Sequence, residues 1–327
     1  MSRRAASALA ASALLASTLA GCSTDREPTE RADAATPQAT VSVAPSVSPA
    51  VPAGSAPEGT FALGVRQLKL NRDGDRPLPV TVWYPAAGRA GGQPASGVDA
   101  ADGQFPVIMF SHGLGGRPDD YESLLTRWAS AGFVVAAPTF PKTSRGGGEN
   151  NVLDVLNQPA DVSYALTRLL ALDARDGDPL RGRLATDRVA AAGHSAGAVT
   201  TIGLFTAGRD ERLAAGIVFA GTALGVGTAF AGAAAPQLFV HGQADEVVQY
   251  AAGKAVYDKV PWPKAMLSLP DGDHGRALLR SEGAALRVVA DTTTEFLRWT
   301  LYGDADAKER IPAAAARDDV ATLDNNL

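Results

Sequence analysis

Gly193-His194-Ser195-Ala196-Gly197 has the G-x-S-x-G form that sets a serine at a sharp turn between a strand and a helix. There the serine takes a strained backbone conformation, the flanking glycines leave room for the turn, and the hydroxyl stands clear of its neighbours. The short run Asp187 to Ala192 before it and the small-residue stretch Ala198 to Ala207 after it supply the strand and the helix. In a chain with 34 glycines the five-residue pattern alone is weak, since a Gly/Ser-rich loop would carry it equally well. The chemistry on offer is nucleophilic attack, and it requires a base to take the serine proton and an acid to hold that base in the right tautomer.

On an elbow of this kind the acid follows the serine in the chain and the base comes last. His112 and His194 precede or adjoin Ser195, and His241 ends a strand with no suitably placed acid ahead of it, which leaves His274. It stands in Asp271-Gly272-Asp273-His274-Gly275, just beyond the last expected strand. No Asp or Glu occurs from Leu213 to Ala244, so the acid is sought at Asp245, in His241-Gly242-Gln243-Ala244-Asp245. Glu246 is its immediate rival; Asp271 and Asp273 are nearer His274 in sequence, but acids so placed more often shape their own turn. An oxyanion needs two backbone donors. Ala196 is expected to supply one, and the glycine-rich His112-Gly113-Leu114-Gly115 the other, through Leu114 with Gly115 as the alternative. His112 and His241 read as strand-end histidines bonded to nearby backbone.

These groups must be positioned by elements of two periods. Strands are expected at Phe61 to Leu70, Pro79 to Tyr84, Pro106 to Ser111, Phe133 to Pro138, Arg188 to Ala192, Gly216 to Ala220, Gln237 to Val240 and Ala265 to Leu269. Helices are expected at Asp119 to Ala131, about Val152 to Leu172 with Pro159 kinking or dividing it, behind the elbow, near Val247 to Lys259, and around Ala284 to Tyr302. Strands alternating with helices, the central strands apolar on both faces, give an α/β fold with a mainly parallel sheet of about eight strands and helices on each side. One domain over residues 60–303 suffices, with a polar, dispensable tail at 304–327.

With the loops in place, the chain resembles the α/β-hydrolase superfamily. Within it the resemblance is to the dienelactone-hydrolase-like, chlorophyllase-like and platelet-activating-factor acetylhydrolase-like esterases. The matching stretches are Pro106 to Gly116, Gly193 to Gly197, His241 to Asp245 and Asp273 to Gly275, in the family's order over about 170 residues. The resemblance implies Ser195 as nucleophile, Asp245 as acid and His274 as base of a carboxylic-ester hydrolase that works through an acyl-enzyme. Dienelactone hydrolases proper carry a cysteine nucleophile, so their lactone substrate does not transfer to this serine. Cap domains of the superfamily often follow the sixth strand, where only Gly221 to Ala235 stands, so no large cap is expected. An amidase or peptidase would share every catalytic residue, and a catalytically silent surface-binding lipoprotein is the remaining alternative.

A formal charge of −5 and a pI near 5.4, with no basic run beyond the first four residues, leave no footprint for nucleic acid. Neither zinc-ligand spacing nor a phosphate loop occurs, so no metal and no cofactor are implied. Residues 1–21 carry Arg3-Arg4 and then the uncharged run Ala5 to Ala20, the form of an export signal. It ends Leu19-Ala20-Gly21-Cys22, similar to the lipobox of bacterial lipoproteins, with the chain's one cysteine at the lipidated position. Acyl chains on Cys22 would hold the protein at a membrane, its domain facing outside the cytoplasm. From there to residue 59 the Pro-, Ser- and Ala-rich sequence reads as a disordered tether able to reach roughly 100 Å. The expected partner is an ester, small or presented on a surface; oligomeric state is not legible.

Overall fold

The first two expected strands form an antiparallel hairpin, β1 (Ala62–Arg72) and β2 (Arg76–Ala86). They turn at Asp73 and Gly74, both with positive φ, 57° and 85°. The computed structural model describes residues 54–147, 151–275 and 282–327. The expected signal peptide, Cys22 and most of the tether lie outside the described residues, as do residues 148–150 of the glycine-rich loop Ser144 to Asn151.

Seven further strands complete one sheet: β3 (Phe105–Ser111), β4 (Val134–Pro138), β5 (Leu184–His194), β6 (Leu213–Phe219), β7 (Gln237–Gly242), β8 (Lys264–Leu269) and β9 (Thr322–Asn326). Their order is β1-β2-β4-β3-β5-β6-β7-β8-β9, parallel from β4 to β8 and antiparallel at both ends. Helices α1 (Glu122–Ser130), α2 (Gln158–Leu170), α3 (Ala196–Gly203), α4 (Tyr250–Lys259), α5 (Ala284–Leu297) and α6 (Ala305–Ala315) cover it. This is an α/β-hydrolase fold, with nine strands among the described residues where about eight were expected. Both faces of the sheet are buried, because alternate residues of one strand feed opposite cores: Val107 and Met109 one, Ile108 and Phe110 the other.

Pro159 divides the long helix expected after β4. A 3-10 turn, Val152–Leu156, ends at Asn157, and α2 begins with the proline in its first turn, where a missing N–H removes no helical bond. Arg76 of β2 fastens both pieces to the hairpin, reaching Asp154 at 2.7 Å and Asp161 at 2.6 Å. β5 starts four residues earlier than expected. Its ladder to β3 slips in register between Pro106 and Val107, and the exposed Asp187 in the middle of the strand hid its full length.

The tail after Gly303 corrects the expectation of a dispensable segment. The Asp304 carboxylate caps α6 by accepting the Ala307 N–H at 2.9 Å, and the helix buries Ala307, Ile311 and Ala315 in the second core. β9 then pairs with β8 along the sheet edge. The end of the expected tether is likewise part of the body: Ala56 N–H donates to Asp304 at 3.4 Å and Arg298 donates to the Pro57 carbonyl at 3.4 Å. Among the described residues no helix is long and apolar enough to cross a membrane.

Candidate active site

Ser195 stands between the end of β5 and the start of α3 with φ 56° and ψ −116°, a region that L-residues rarely occupy. Close packing explains why glycines flank it. A Cβ on Gly193 would fall 2.2 Å from the Gly197 carbonyl oxygen, and one on Gly197 would fall 2.0 Å from that of Ser111. The Ser195 N–H extends the sheet ladder to the Phe219 carbonyl at 2.9 Å, while its own carbonyl starts α3 by accepting the Ala198 N–H at 2.9 Å. Rigid backbone on both sides therefore fixes where the hydroxyl points.

Two loops at the same edge of the sheet bring His274 and Asp245 to that hydroxyl. Ser195 Oγ lies 2.8 Å from His274 Nε2, and His274 Nδ1 lies 2.8 Å from Asp245 Oδ2. The carboxylate can only accept, which assigns the proton on Nδ1 and leaves Nε2 to accept from the serine. Asp245 is itself anchored: Oδ1 accepts the N–H groups of Val247 and Val248, each at 2.8 Å. Burial works against its charge, but the bonds from His274, Val248 and Val247 outweigh burial and hold the carboxyl below its usual range. The rivals are elsewhere. Glu246 is exposed, as is Asp271, and Asp273 accepts the Gly275 N–H at 3.0 Å to shape its own turn. The loops after β7 and β8 also touch directly, with Ala244 N–H donating to the Gly272 carbonyl at 3.0 Å.

The loop after β3 packs against the elbow, so closely that a Cβ on Gly113 would lie 3.3 Å from Ser195 Cβ. Gly113 N–H donates to Tyr121 Oη at 3.0 Å, Gly115 N–H to the Thr143 carbonyl at 2.6 Å and Gly116 N–H to the Gly113 carbonyl at 2.9 Å. Among the described residues no acceptor takes the N–H of Leu114 or of Ala196. Gly115, the alternative donor, is thus already engaged, whereas the N–H groups of Leu114 and Ala196 are open.

His112 is wholly buried, bonded through Nδ1 to the Gly113 carbonyl at 2.8 Å and accepting the Phe140 N–H through Nε2 at 3.1 Å. Burial pushes its pKa down to about 4. His241 bonds the Val248 carbonyl at 2.8 Å, with the same nitrogen 3.3 Å from Asp245 Oδ2, and burial lowers its pKa too. Two residues went unread in the sequence. Tyr121, at the end of the 3-10 turn Pro118–Tyr121 that leads into α1, read as one more apolar position of the helix expected at Asp119 to Ala131, and His194 only as a histidine adjoining Ser195, yet they bond each other at 3.0 Å directly behind the site. A phenol five residues past a glycine loop was the available signal.

No group of His, Cys, Asp and Glu among the described residues could hold a metal ion. The chlorophyllase family model matches residues 97–224, which take in the loop after β3 and Ser195 and end before Asp245 and His274. Over those residues the chain is similar to chlorophyllases, and the likeness indicates a hydrolase acting on esters. No curated protein matches the chain.

Proposed function

We propose that this α/β-hydrolase is a serine esterase that cleaves carboxylic esters through an acyl-enzyme, with Ser195 as nucleophile, His274 as base and Asp245 as acid. The observation that carries this reading is the unbroken chain of 2.8 Å hydrogen bonds from Asp245 through His274 to a serine on a strained elbow. As Oγ attacks the ester carbonyl, its proton passes to His274 Nε2, and Asp245 stabilises the imidazolium through Nδ1–H. The carbonyl oxygen becomes an oxyanion that accepts from the open N–H groups of Leu114 and Ala196; loss of one such donor typically costs about 10²- to 10³-fold in turnover. His274 then gives its proton to the leaving alkoxide, which departs as the alcohol. Water, deprotonated by the same nitrogen, attacks the acyl-serine, and His274 returns that proton to Ser195 Oγ as the acyl–oxygen bond breaks and the carboxylic acid is released.

The segment Gly221 to Ala235 after β6 carries no helix or strand that could form a cap, which leaves the serine open to short acyl esters or to esters presented on a surface. A fluorophosphonate should label the wild type and leave Ser195→Ala unlabelled; an unlabelled wild type would sink the hydrolase reading. Paired p-nitrophenyl esters and anilides separate esterase from amidase, faster anilide cleavage favouring the latter. Export and lipid attachment at Cys22 belong to the same proposal and rest on Arg3-Arg4, the uncharged run Ala5 to Ala20 and Leu19-Ala20-Gly21-Cys22.

A further inference from the structure

A second hydrogen-bonded chain passes behind Ser195. Gly113 N–H donates to Tyr121 Oη at 3.0 Å, Tyr121 Oη and His194 Nδ1 are 3.0 Å apart, and His194 Nε2 is 2.5 Å from the His274 carbonyl oxygen. The donors fix its sense. A carbonyl can only accept, so the proton is on His194 Nε2; Nδ1 then accepts the Tyr121 hydroxyl proton, and the phenol oxygen accepts from Gly113. Both side chains are buried, Tyr121 at 1% and His194 at 7% exposure, so losing a partner would strand a polar group away from water.

The two ends of this chain are the two loops that the reaction depends on. Gly113 immediately precedes Leu114, whose N–H is open, and the carbonyl at the other end belongs to His274 itself. Both loops close on the His194 ring through glycine. A Cβ on Gly113 would lie 3.2 Å from both Tyr121 Oη and His194 Nδ1, and one on Gly275 would lie 2.8 Å from His194 Nε2. The His194 and His274 rings are 5.0 Å apart, which makes the imidazole of His194 a spacer between base loop and oxyanion loop.

Building on the roles given above to Ser195, His274 and Leu114, we propose that Tyr121 and His194 are positioning residues that tie the oxyanion loop to the base loop. The tie sets the distance between the Leu114 donor and the His274 proton acceptor, on either side of Ser195. A group held this way acts on the transition state more than on substrate binding, since misplacing a donor or base by about 1 Å can lower turnover on the order of 100-fold.

The test uses the full-length protein and a short-chain p-nitrophenyl ester, with Tyr121→Phe, His194→Phe, the double variant and His194→Gln. Each is measured for kcat, KM, Tm and the rate of fluorophosphonate labelling. Tyr121→Phe and His194→Phe should lower kcat and the labelling rate by about 10- to 100-fold with KM within about threefold of wild type. The double variant should be no worse than the worse single, because either change opens the same chain. His194→Gln, with an amide oxygen to accept and an N–H to donate, should recover at least about tenfold over His194→Phe. The tie is overturned if folded variants keep kcat within about twofold of wild type, if the single losses multiply, or if Gln is no better than Phe. Should His194→Phe fail to fold, Tyr121→Phe, which removes one oxygen, decides alone. A wild type that neither cleaves ester nor takes the label overturns the hydrolase reading; a wild type and a Tyr121→Phe variant labelled equally fast overturn the tie alone.

Discussion

His112 is neutral because its place in the loop leaves it no other state: Nε2 must accept the Phe140 N–H, and burial opposes a charge. Its pKa in the fold, lowered to about 4 from an ordinary 6.5, makes the unfolded chain bind one more proton between those values. Stability from His112 is therefore complete above about pH 6.5 and is lost as pH falls toward 4, on the order of 3 kcal/mol across the window. His241, shifted in the same direction by burial, adds to the slope. His112→Asn, which keeps a donor for the Gly113 carbonyl and does not titrate, should flatten the dependence of unfolding free energy on pH by about one proton. Denaturant melts of both proteins from pH 4 to 7 measure this; an unchanged slope would show that His112 is not the group responsible.

At the scale of elements, the expectation of a dispensable tail turns into a prediction of the opposite sign. Ile311 of α6 is fully buried, and Ile311→Ala should cost about 2–5 kcal/mol in urea unfolding, where a dangling tail would give a change near zero. Why the sequence hid this segment is physical. β9 reads Thr-Leu-Asp-Asn-Asn, three of its five residues being Asp or Asn, which strands disfavour, and it lies at an edge where most of its side chains face solvent. Its structure comes from the waiting edge of β8. α6 carries Pro312 in its interior and only one large apolar residue, Ile311, so its helical period was faint. By contrast β3, apolar but for Ser111, and β4, apolar throughout, are buried along their whole length and were legible because burial on both faces leaves no alternation to confuse with anything else.

Across the whole molecule, the candidate site was legible because a parallel sheet delivers the carboxyl ends of its strands to one edge. The loops after β3, β5, β7 and β8 meet there, so chain order alone could nominate Leu114, Ser195, Asp245 and His274. Chain order carries no signal for contacts made sideways between loops, which is why Tyr121 and His194 were passed over. At this scale belongs also the link between the domain and a membrane: if Cys22 carries lipid, detergent-phase partitioning should take wild type into the detergent and leave Cys22→Ala in water. Equal partitioning of the two would sink the anchor.

The glycine at position 242 has a mechanical consequence. A side chain there would strike the Gly272 carbonyl oxygen at 2.1 Å and that of Asp273 at 2.5 Å, so the backbones bearing acid and base lie in direct contact. Backbone contact between the acid loop and the base loop therefore sets how far apart Asp245 and His274 stand. Any residue larger than glycine at 242 would have to part the two loops and so lengthen the bond between acid and base.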